Sequence, residues 1–72
     1  MNKTEFIVEM KRHKDTQASL ANAMGLARVT LNRKINEIGG SSFTQPELKF
    51  ITDRYSLTAE RAMELFFASN VS

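Results

Sequence analysis

The chain has 72 residues, 42% of them hydrophobic, with no cysteine and a net charge of +2. That length supports one domain near the lower limit for folding without staples, and the absence of cysteine excludes a disulfide framework or a thiolate metal site. No apolar run approaches the roughly 20 residues of a membrane span, and Glu5 and Glu9 interrupt the opening segment where a targeting signal needs an unbroken apolar stretch, so a soluble, cytosolic protein is expected.

Five helices and no strand are expected. Asn2 and Glu5 have capping-box spacing, opening a first helix that runs to about Lys14 with Phe6, Ile7 and Met10 inward. The basic run Lys11–Lys14 places positive charge at the negative end of the helix dipole, and His13 within it reads as a solvated side chain. Thr16 caps a second helix, Gln17 to Met24, with Leu20, Ala21 and Met24 on one face, and Gly25 ends it in the left-handed conformation. A third helix spans about Arg28 to Glu37 with Leu31 and Ile35 inward, followed by the flexible connection Ile38–Ser42. Thr44 and Glu47 form a second capping box with Pro46 in the first turn, and Phe43 and Leu48 have hydrophobic-staple spacing. That fourth helix, about residues 45–55, turns Leu48, Ile51 and Tyr55 inward. Thr58 then caps a last helix from Ala59 to about Ser69.

The segment from Thr16 to Glu37 resembles the helix-turn-helix of the small phage repressor and Cro class. The matching residues are Thr16–Gln17, Leu20–Ala21, Gly25–Leu26, Leu31 and Ile35. Ala21 is small enough for two helices to approach, Gly25 permits the turn, and Leu26 plugs the space beneath it. The resemblance implies an all-α, five-helix repressor-like domain whose third helix enters the major groove. Carried over by position, it implies DNA contacts from Arg28, Val29, Thr30, Asn32 and Arg33, and a phosphate contact from Gln17. Helical projection independently leaves Val29, Asn32, Arg33 and Asn36 opposite the Leu31/Ile35 face, and since arginine can pair with guanine and asparagine with adenine, that face could read DNA. The same face also reads as ordinary solvated surface. Ala27 stands at the N-cap, where the family usually has a hydroxyl or amide side chain, and Val29 is apolar where polar readers are common.

Charge divides unevenly along the chain. Residues 1–36 hold seven Lys/Arg against three Asp/Glu, a balance of +4, whereas residues 37–72 hold three against five, a balance of −2. The front half suits phosphate and the back half does not. In the last helix, Ala59, Ala62, Met63, Leu65, Phe66 and Phe67 spread over an apolar arc of about 200°, about twice the stripe that docking onto one's own core needs. Phe50 projects away from the inward face of the fourth helix, and Ile38 and Phe43 flank the glycine connection. Ile38, Phe43, Phe50, Met63, Leu65, Phe66 and Phe67 therefore make a candidate protein interface. The competing arrangement has Phe67 folding over the fourth helix to cover Phe50.

Over its whole length, including the closing Met63–Ala68, the chain resembles the modulator-of-repression antirepressors of temperate phages. That resemblance implies a phage-encoded regulator in the bacterial cytoplasm. It would bind the amino-terminal DNA-binding domain of the phage CI repressor and block operator binding, with no cofactor, small-molecule ligand or membrane involved. A Cro-like repressor that binds operator DNA directly is the alternative. Catalysis is not expected: with one histidine and no cysteine, no nucleophile–base pair or metal-ligand set can be assembled, and Gly39–Gly40 lacks the strand–turn–helix context of a phosphate loop.

Overall fold

Three threonines and one asparagine cap the starts of four of the five helices. The computed structural model describes residues 1–67, all-helical and without a strand among them. The helices are α1 (Lys3–Arg12), α2 (Gln17–Met24), α3 (Arg28–Asn36), α4 (Gln45–Arg54) and α5 (Ala59–Phe66), with a single 3-10 turn at Ile38–Gly40. Thr16, Thr44 and Thr58 each accept a hydrogen bond from the backbone N–H three residues on, which satisfies one of the orphan donors of the first turn. At Thr44 the box closes, since Glu47 Oε1 accepts from the Thr44 N–H at 2.9 Å. At Asn2 only half of the expected box forms: Asn2 Oδ1 accepts from the Glu5 N–H, while the Glu5 carboxylate turns to Arg61. At Thr16, beyond the simple cap expected, Ser19 completes a box by accepting from the Thr16 N–H at 2.9 Å.

Helix ends differ from expectation by one or two residues. α1 stops at Arg12 because Lys14 takes a left-handed conformation, with φ of 57°. α3 stops at Asn36 because Glu37 does the same, with φ of 53°. Non-glycine residues adopt this conformation at a cost of about 1–2 kcal/mol, so local sequence gives little warning of such stops. Gly25, at φ 71°, ends α2 as expected. Residues Ala68 and Ser69, assigned above to the last helix, lie outside the described residues.

The core gathers Phe6 and Met10 from α1, Leu20 and Ala21 from α2, Leu31 and Ile35 from α3, Ile51 from α4, and Tyr55 at its end. Ala21 is buried where α2 and α3 meet, and Leu26 returns its N–H to the Ala21 carbonyl at 2.9 Å, closing the α2–α3 turn. Phe6 is the hub, its ring 5.8 Å from Phe43 and 6.2 Å from Phe66. The edges of the fold are clamped by ions. Lys34 donates to Glu47 at 3.0 Å and to the Ser42 carbonyl at 3.2 Å, tying α3 to the start of α4. No helix among the described residues is long and apolar enough to cross a membrane.

Candidate functional site

Two surfaces carry the residues singled out by sequence. The first is the outer side of α3. Arg28 and Arg33 are exposed and form no ion pair among the described residues, and Val29 is 61% exposed between them. Thr30, Asn32 and Asn36 are half-buried. Asn32 Nδ2 donates to Gln17 Oε1 at 3.2 Å, and Asn36 Nδ2 donates to the Asn32 carbonyl at 2.8 Å. Both amides are thus engaged within the fold, and base contact by Asn32 would require exchanging the Gln17 bond. Ala27 leaves α3 without a side-chain cap. Arg28 and Arg33 are therefore without an ion-pair partner among the described residues, while the amides of Asn32 and Asn36 are tethered.

The second surface is the closing end of α5, where the apolar arc is only partly absorbed. Leu65 is completely buried, which removes it from the expected interface: its side chain belongs to the interior, and the Leu65 carbonyl accepts the Asn2 N–H at 2.8 Å. Phe66 and Phe43 are half-buried and pack on the core through Phe6, so most of each ring is already committed. Met63 and Phe67, by contrast, are 58% and 56% exposed. They stand one helical turn apart, joined by the Phe67 N–H to Met63 carbonyl bond at 2.9 Å, and so share a face. Phe67 meets Phe66 edge-on at 6.5 Å and lines a cleft with Phe43, Leu48 and the end of α3. Ile38, beyond that end, is 53% exposed. Phe50 lines a different, shallow cleft with Met24 and Pro46, and its ring pairs with no other aromatic among the described residues. The arrangement in which Phe67 covers Phe50 does not occur.

Sequence reading missed a network of ions between α1, α4 and α5. Glu9 is buried at 3% exposure and accepts from Arg61 Nε at 2.8 Å and from His13 Nε2 at 3.1 Å. Burial pushes its carboxyl up, but the bonds from Arg61 and His13 and the nearby Arg12 charge outweigh this and hold it below the usual range. His13 is exposed as expected but not without partners, because its ring also stacks on Tyr55 at 4.6 Å. Asp15 accepts from Arg54 through both Nε and Nη2, from the Tyr55 hydroxyl at 2.6 Å and from Ser19 Oγ at 2.5 Å. The Arg54 bonds lead in holding that carboxyl far below its ordinary value, against the opposing effect of burial. Arg61 gathers Glu5, Glu9 and Glu64 at once. The Arg61–Glu9 and Arg54–Asp15 partners lie 52 and 39 positions apart, so no local pattern announces those two pairs.

The chain was compared with family models, curated proteins and solved structures, and none matches it.

Proposed function

We propose that the chain is a transcription regulator of the helix-turn-helix repressor class that works mainly through protein contact, as an antirepressor of a phage CI-type repressor. The observation that carries this reading is the exposure of Met63 and Phe67 side by side at the end of α5, in a domain whose remaining large apolar side chains mostly find cover. A paired methionine and phenylalanine facing water forgo about 1–1.5 kcal/mol of burial each, and such a pair in a small monomer marks a contact site. The α2–α3 pair supports the class assignment: a left-handed glycine between the helices, a buried alanine at their contact and a buried leucine–isoleucine face on α3. The role as antirepressor comes from the resemblance over the whole chain described above. Nothing in the ion networks resembles a nucleophile with its base, and the chain is read as a binding protein.

Direct operator binding is the second reading, favoured by Arg28 and Arg33 on α3, which are exposed and form no ion pair among the described residues. Against it stand the tethered Asn32 and the uncapped helix start, where a hydroxyl would reach phosphate. Two experiments separate the readings. Mixing the chain with the CI amino-terminal domain on a size-exclusion column gives a faster-eluting complex under the first reading and two unshifted peaks if it is wrong. A mobility-shift titration of operator DNA with the chain alone gives strong, steeply salt-dependent binding only under the second.

A further inference from the structure

Resting on the protein-contact reading, we infer that the outer face of α5 docks a basic amphipathic helix of the partner, with Met63 and Phe67 seated in that helix's apolar groove and Glu60 and Glu64 beside its Lys/Arg side chains. Ala59, Met63 and Phe67 follow one another at four-residue intervals and are all exposed, forming a single ridge along the helix. Such a row is the geometry that interdigitates with the groove of another helix. The occupant's charge follows from what surrounds the ridge. Glu60 and Glu64 form the adjacent row, both exposed, and Glu60 has no ion-pair partner among the described residues. Glu5, Glu9 and Glu64 share the one guanidinium of Arg61, and Arg12 approaches the same Glu9 oxygen as Arg61 at 3.7 Å. Glu5, Glu9, Glu60 and Glu64 thus stand against Arg12, Arg61 and the ring of His13 at the α1–α5 seam, and the exposed Glu60 and Glu64 leave its outer side acidic in a chain that carries +2 overall. A cationic partner is attracted there and a nucleic acid repelled. A second copy of this chain is a poor occupant, because a two-fold pairing of α5 on α5 sets the Glu60/Glu64 row against its own image.

The test titrates the CI amino-terminal domain against fluorescently labelled parent chain, Phe67→Ala and Glu60→Lys, with the helical signal and melting temperature of each variant recorded. Both side chains are exposed, so both variants are expected to fold. Phe67→Ala is expected to weaken the complex roughly thirtyfold and Glu60→Lys about fivefold. If Phe67→Ala weakens the complex while Glu60→Lys leaves it unchanged or tighter, the basic-helix assignment is overturned and the protein-contact reading survives. If the parent forms no complex, both fall. If sedimentation shows a parent dimer that Phe67→Ala dissolves, the occupant is a second copy and the inference is wrong.

Discussion

Asp15 sits where α1, α2 and α4 converge, and neutralising it tests how much of this small fold depends on ions. In Asp15→Asn the carboxylate loses its charge, and one of its two oxygens becomes an NH2 group facing Arg54, Tyr55 or Ser19, all of which donate. The Asp15 side chain is only 6% exposed and Arg54 33%, so water compensates little. Hydrogen bonds to a charged group are worth about 1.5–3 kcal/mol, and breaking one side of a covered pair costs more than an exposed one, giving about 3 kcal/mol here. A domain of this size has on the order of 5–10 kcal/mol in total, so the melting temperature should fall by about 15 °C. The sign with pH follows from the depressed carboxyl. Its stabilisation is complete above the unfolded value of about 3.9 and is lost as pH falls below that toward the folded value. Urea unfolding of parent and variant, followed by circular dichroism, should therefore show a constant gap from pH 7 to about 5 that narrows below about pH 4. A gap that persists unchanged to pH 2 would refute the ionic origin of the stabilisation.

Three further outcomes are expected. Ala27→Ser supplies the missing cap of α3 and should stabilise the fold by about 1 kcal/mol, read as a rise in melting temperature of roughly 4–8 °C. Gly25→Ala should cost about 1 kcal/mol in the same assay: a Cβ there meets no atom within 4 Å, so the whole penalty is the left-handed backbone at φ 71°. Phe67→Ala should lower folding stability by no more than about 1 kcal/mol, because over half of the side chain is already in water, whereas Phe6→Ala should cost about 3–5 kcal/mol.

Helix starts were legible in the sequence because capping is local: Thr16, Thr44 and Thr58 bond within three residues of themselves. Helix stops were less so. Gly25 announced one, but Lys14 and Glu37 adopt the same left-handed geometry without the residue type that signals it. The core face of each helix followed from periodicity, except that Glu9 is buried among charges supplied from α5 and the end of α1. The last helix marks the boundary of what projection can do. An isolated cylinder gives the width of the apolar arc but not which part of it neighbours will cover. Phe6 takes Phe66, the interior takes Leu65, and Met63 and Phe67 are left outside. Likewise the acidic balance of the second half was visible, while its concentration around Arg61 depends on Glu5 and Glu9 arriving from α1.

The most direct measurement is side-chain oxidation footprinting of the chain alone and with the CI amino-terminal domain. Met63 is exposed and Met10 is buried, so the two methionines serve as reporter and internal control. The account predicts rapid oxidation of Met63 in the free chain and strong protection of Met63 and Phe67 in the complex, with Met10 slow in both. Equal oxidation of Met63 with and without a bound partner would contradict it.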